Sequence, residues 1–176
     1  MTLADILSRG ITEAMTILGI DPGTARIGWG IIETKGSLYH TRAFGLITTE
    51  RNEAVELRLL KAYHQICKIC VKYAPDVVSI EELFFATNAK TAIAVGQARG
   101  ILLLSAAANG IPVYSYSPLA VKRAITGDGH ADKKQVLKMI VSLLKLKEPP
   151  KPDDVADALA IALAHVYSYR IKERMP

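Results

Sequence analysis

Hydrophobic and polar positions follow one another along this chain with periods that change in a regular order. Residues 17–21 form a short apolar run, residues 27–34 a second after a Pro-Gly turn, and residues 38–48 a third with looser alternation. Three such runs with short connections predict an antiparallel meander. Residues 53–73 then take a helical period, with Leu59, Tyr63, Ile66 and Cys70 on one stripe, and stop before Pro75. The continuous apolar run at 77–80 reads as a strand buried on both faces. A helix rich in small residues over 89–109, ended by Gly110, precedes a fifth strand at 111–116. Helices are expected around 117–125, at 132–144 and, beyond a proline-rich loop at 149–152, at 153–169. The order β-β-β-α-β-α-β-α-α-α predicts an α/β fold, a mixed five-stranded sheet with helices on both faces.

Composition narrows the picture without changing it. The 176 residues suit one domain, taken as residues 15–176, preceded by an N-terminal extension at 1–14. Half the residues are apolar and 22% charged, which places the chain among globular proteins. The two cysteines, Cys67 and Cys70, lie on the helix stripe and lack the further ligands a zinc site needs, so core thiols in a reducing compartment are expected. The first fourteen residues carry Asp5, Arg9 and Glu13 and no apolar core of a signal sequence. Gln97 and Arg99 interrupt the most apolar stretch, so no membrane span is expected, and the cytoplasm is the expected location.

Charge and chemistry then concentrate in particular places. The net charge of +5 permits a polyanionic partner without requiring one. Between residues 117 and 148, seven bases (Lys122, Arg123, Lys133, Lys134, Lys138, Lys145, Lys147) face three acids, so this segment carries most of the excess. Phosphate contacts are one reading and a solvated helix face the other. Phe84 and Phe85 suit either base stacking or packing on the next helix. Gly96 and Gly100, four apart on one helix, permit close backbone approach, to the sheet first and to another subunit second. His130 and His165 have no ligand spacing with each other and are read as non-metal.

The acids are the most informative positions. Asp21 ends the first strand and Glu81 the fourth, and ligand sites in open α/β sheets lie beyond the carboxyl ends of parallel strands. Each also has an ordinary reading as a turn residue, stronger for Asp21 in Asp-Pro-Gly than for Glu81. Asp153, Asp154 and Asp157 open the last helix, where Asp serves as a cap and dipole partner. Residues 155–164 are otherwise apolar on every side, so Asp157 is expected to be buried, with Asp154 on the same face one turn earlier. Two carboxylates at about 4 Å and an effective dielectric near 20 repel by roughly 4 kcal/mol. Four of them call for a cation, and hard oxygen donors at an open site suit Mg²⁺ acting in phosphoryl displacement. Spacing alone leaves Glu81 against Glu82, and Asp153 against Asp154, open.

The runs ILGIDPGTARIGWGII (17–32), SIEELFF (79–85), VGQARG (95–100), VKRAITGDGHADKKQV (121–136) and DDVADALAIALAH (153–165), in this order and spacing, closely resemble the bacterial RuvC Holliday-junction resolvases. The resemblance implies a ribonuclease H-like fold and a homodimer that cuts four-way DNA junctions symmetrically during recombination and repair. It implies Mg²⁺, with Mn²⁺ able to substitute, and two ions per site with DNA bound, one activating water and one stabilising the 3′-oxygen leaving group. It puts the catalytic, metal-holding acids on Asp21, Glu81, Asp154 and Asp157, and DNA contacts on Phe84, Lys122 and Lys133. Glu81 is chosen over Glu82 because the family acid directly follows an apolar strand residue, and Asp154 over Asp153 by its spacing to Asp157. The helix of Gly96 and Gly100 falls around the family's dimer interface, and RuvA and RuvB branch-migration proteins are the implied partners. A related nuclease acting on another nucleic acid would need the same acids. An actin-like ATPase shares the Asp-x-Gly but needs two such domains, and a non-catalytic DNA-binding module would not need all four acids.

Overall fold

The computed structural model describes residues 14–23, 25–36, 38–50, 52–82 and 89–174, the side chains of 89–91 and 169–174 excepted. The extension expected at 1–14 lies outside the described residues but for Ala14. The chain runs β1 (Met15–Pro22), β2 (Arg26–Lys35), β3 (Leu38–Thr48), α1 (Val55–Tyr73), β4 (Val77–Glu81), α2 (Ala89–Ala108), β5 (Val113–Tyr116), α3 (Pro118–Thr126), α4 (Lys133–Leu143) and α5 (Asp153–Arg174). The five strands form one sheet in the order β3-β2-β1-β4-β5. β1, β2 and β3 make the antiparallel meander that the spacing predicts, while β1–β4 and β4–β5 are parallel.

Alternation along the strands divides the apolar residues between two layers. Ile17, Ile32 and Val77 join a core with Val121, Ile125, Val136, Ile140 and the apolar run of α5. Leu18, Ile20, Ile31, Val78 and Ile80 point the other way and pack with Ile66 and Cys70 of α1 and Leu102 and Ala106 of α2. Helices α1 and α2 therefore cover one face, and α3, α4 and α5 the other. Because β1 and β4 are central and covered twice, their interiors read as continuous apolar runs rather than alternating ones.

Two strand glycines set the spacing of α5 from the sheet. A Cβ at Gly19 would collide with the carbonyl oxygen of Ala158, and one at Gly28 with that of Asp154. Side chains at these positions would push the helix outward, since neither obstacle is a flexible side chain. The expectation for Gly96 and Gly100 is corrected in part. A Cβ at either meets nothing within 4 Å, so these glycines do not seat α2 on the sheet. Both thiols are free; Cys70 is buried, which pushes its pKa up to about 11, and Cys67 is half-buried beside the Asn109 amide at 3.6 Å.

Candidate active site

Parallel pairing of β1 with β4 aligns their carboxyl ends. Ile20 lies opposite Ile80, so the next residues, Asp21 and Glu81, emerge side by side at the sheet edge. Alternation fixes their direction: Ile17 and Val77 point into the α5 layer, and the Ser79 hydroxyl donates to the Ile161 carbonyl of α5 at 2.9 Å. Asp21 and Glu81 have the same parity and face the same way. Glu82 comes one residue later and is exposed.

Helix α5 brings the other acids. Its first turn lies over the end of the sheet, with Asp154 close enough to β2 that its main chain rests against Gly28. Negative charge in that turn is favoured by the helix dipole. Asp154 Oδ2 lies 3.5 Å from the Arg26 guanidinium, and Asp157 Oδ2 lies 3.3 Å from Lys133 Nζ. Lys133 is the first residue of α4, whose start is fixed by a capping box between Asp132 and Gln135. Asp157 departs from expectation: its side chain is 40% exposed, against 20% for Asp154. Val155 and Ala156 before it and Ala158 after it are buried, so only the Asp157 side chain in this stretch faces the depression beyond the strand ends.

The electrostatics show how these acids share the edge. Burial, followed by the charges of Asp157, Glu81 and Asp154, pushes the Asp21 carboxyl up to about 7. Glu81 is raised by burial and then by Asp157, and Lys133 acts in the opposite sense. Asp157 is also raised by burial, while Lys133 pulls it back; Lys133 in turn is raised, first by Asp157. Asp153, exposed at the helix start, bears on Asp157 and Lys133. Asp21 thus sits among three carboxylates whose combined charge exceeds what Lys133 and Arg26 supply. That surplus, carried by oxygen donors only, fits hard divalent cations. Among the described residues, no three acids are already grouped around a single point, and Arg26 and Lys133 hold two of the four.

The basic residues flank this edge. Lys122, on α3, lines a depression of about 290 Å³ together with Glu81, Lys133 and Asp157. Lys133 is therefore placed inside the acid cluster as well as beside the depression. Phe84 and Phe85 lie outside the described residues. His165 is buried away from the edge, its Nδ1 2.8 Å from the Tyr116 hydroxyl and its ring centroid 4.7 Å from that of Tyr114.

Two residues of the edge were not anticipated. Arg26 reaches Asp154 because the β1–β2 hairpin sets Asp21 opposite Gly28, two residues along from it, a signal readable only once that register is known. Arg99 donates to the Glu81 carbonyl across a separation of 18 residues, for which the sequence offers no local signal.

Comparison with known proteins gives consistent results. The family model described as crossover junction endodeoxyribonuclease RuvC matches residues 17–165. A crossover junction endodeoxyribonuclease RuvC from Caldicellulosiruptor saccharolyticus is 53% identical over 155 residues, 88% of this chain and 93% of that protein. Among solved structures, T. thermophilus RuvC in complex with a Holliday junction substrate superposes with a TM-score of 0.87 at 36% identity, covering 90% of this chain and 97% of that one. The yeast mitochondrial Holliday junction resolvase Ydc2 shares the fold at 16% identity, with a TM-score of 0.65 over 98% of this chain and 87% of that one.

Proposed function

The chain belongs to the RuvC family of crossover junction endodeoxyribonucleases, with their ribonuclease H-like fold, and from that premise we propose how its own residues perform the reaction. It is a nuclease of Holliday junction DNA that depends on a divalent metal. In our reading, Asp21, Glu81, Asp154 and Asp157 are the catalytic carboxylates, and the observation that carries this is their convergence on one sheet edge, with Asp21 raised to about 7.

Mg²⁺ is the cation we assign, two ions per site with DNA bound and Mn²⁺ able to substitute; bound there, they would lower the pKa of a water and offset charge at the phosphate. The four carboxylates would hold them, Asp21 and Glu81 from the sheet and Asp154 and Asp157 from α5. Lys133 neutralises part of the cluster in their absence and stands ready to meet the phosphate of an incoming strand. Lys122 and Phe84 complete the proposed DNA contacts, Lys122 by charge and Phe84 by stacking.

The symmetric cut implies two sites, and we assign the dimer contact to the outer side of α2. Ile93 and Leu104 are 65% and 55% exposed there, with Leu103, Gly96 and Gly100 along the same helix. Exposed apolar surface of this kind marks an interaction site. RuvA- and RuvB-type partners and a cytoplasmic location belong to the same reading and rest on family membership. Among the described residues no helix is long and apolar enough to cross a membrane.

The decisive experiment uses an end-labelled four-way junction with Mg²⁺, beside matched duplex and RNA–DNA hybrid. Paired nicks in the junction alone are expected, and Asp21→Asn should cut at least about 1,000-fold more slowly while still binding. Cutting of the hybrid instead would keep the chemistry and overturn the substrate. Lys122→Ala should lower the salt slope of junction binding by about one unit; an unchanged slope would reduce Lys122 to a surface lysine.

A further inference from the structure

Arg99 approaches the catalytic edge from behind. It belongs to α2, on the sheet face opposite α5, and is half-buried there. Its Nη1 donates to the main-chain carbonyl of Glu81 at 2.6 Å, and its Nη2 donates to Ser115 Oγ at 2.8 Å. Ser115 pairs with Ile80 in the β4–β5 ladder, so its hydroxyl shares the α2 face. One planar guanidinium therefore bridges the ends of two parallel strands, a geometry that the single ammonium of lysine cannot reproduce.

The peptide joining Glu81 to Glu82 is held at both of its polar atoms. Its carbonyl accepts from Arg99, and its N–H, that of Glu82, donates to the Tyr116 carbonyl at 2.8 Å. Fixing that peptide plane fixes ψ of Glu81, and with it the direction in which the side chain leaves the strand. Without Arg99, the last residue of β4 would keep one tether on the β5 side and lose the one beneath it. A charge-assisted bond to a carbonyl is about twice as strong as a neutral one.

We propose that Arg99 is a positioning residue for cleavage, holding the terminal peptide of β4 so that the Glu81 carboxylate stays beside Asp21. The proposal rests on the reading of Glu81 as a metal-holding carboxylate. Arg99 touches neither the carboxylates nor the depression on the α5 side. It acts through the backbone, and removing it should impair metal capture more than DNA binding.

The test compares Arg99→Ala, Arg99→Lys, Ser115→Ala and Glu81→Gln with the parent protein. Three quantities are measured: Mn²⁺ binding to the free protein by calorimetry, junction affinity in EDTA, and the single-turnover cleavage rate at increasing Mg²⁺. Arg99→Ala should weaken Mn²⁺ binding and slow cleavage by about 10- to 100-fold, the range for residues that orient metal ligands, with junction affinity within about twofold. Arg99→Lys should recover part of both losses, and Ser115→Ala should shift both by about threefold in the same direction.

Unchanged Mn²⁺ binding and Mg²⁺ dependence in the Arg99 variants, with Glu81→Gln inactive, overturns the proposal and leaves Glu81 in place. Normal cleavage by Glu81→Gln overturns both together. If Arg99→Ala does not fold, Arg99→Lys and Ser115→Ala decide. A fall in melting temperature with no change in metal response in those two assigns Arg99 a structural role only and overturns the proposal.

Discussion

Beneath α5, a methyl group added to Gly19 or Gly28 runs into main-chain oxygens of Ala158 and Asp154, while on α2 one added to Gly96 or Gly100 meets nothing within 4 Å. The first pair serves contact within the chain. It lets the helix that carries two acids lie close to the strands that carry the other two. The second pair lies on a helix whose Ile93, Leu103 and Leu104 are exposed. Small residues on a helix or strand therefore mean different things on the two faces of one sheet. What separates the cases is the position of the neighbouring backbone.

The comparison is broken most severely from the α5 side. Gly28→Ala should destabilise the protein by about 3 kcal/mol, as overpacking against rigid backbone does, and abolish cleavage by displacing Asp154. Thermal melting and junction cleavage check the two effects together.

A change of pH sharpens the same contrast, because the close approach concentrates charge. In the metal-free protein Asp21 ionises near pH 7, against the usual 3.8, so the folded state keeps a proton that the unfolded chain has released. The resulting stability is fully present below the unfolded value and is lost as pH rises through the folded one, an effect of up to about 4 kcal/mol. Asp21→Asn removes this titration. It should be more stable than the parent at pH 8 and should lose that advantage toward pH 4, as urea midpoints across the range would show.

On the α2 side the effects are smaller for the fold and larger for association. Leu104→Glu should leave the fold intact and raise the dissociation constant of the proposed dimer at least about 100-fold, read by sedimentation. Gly100→Ala should stabilise the separated subunit by about 1 kcal/mol through helix propensity, a gain visible in melting at concentrations below dimer formation. A loss of stability there would mean that the helix needs its glycine for the fold after all.

Much of this architecture was legible in the residues. Continuous apolar runs ending in Asp21 and Glu81 identify the central strands and their loaded ends, because burial on both faces leaves no room for alternation. The i, i+3 spacing of Asp154 and Asp157 places both on one helix face. What could not be read is distance from the rest of the chain. Apolar neighbours suggested that Asp157 is buried, and those neighbours are, but periodicity does not reveal that the Asp157 side chain faces a depression shared with Glu81 and Lys133. The spacing of Gly96 and Gly100 favours packing inward on the sheet, and nothing in the residues signals that a Cβ there would meet open space. Arg26 and Arg99 reach the edge through hairpin register and through contacts across the sheet, neither of which has a local pattern.

The ladder between β1 and β4 has a mechanical consequence. Asp21 and Glu81 share one hydrogen-bonded frame, and Asp154 and Asp157 ride one rod. The four carboxylates therefore form the two jaws of a clamp, each stiff in itself, and the gap between helix and sheet is the main variable left. An outward shift of the rod carries two of the proposed ligands away at once, so partial opening does not leave a three-quarters-complete site. A small apolar molecule wedged in that gap would disarm the nuclease without touching an acid.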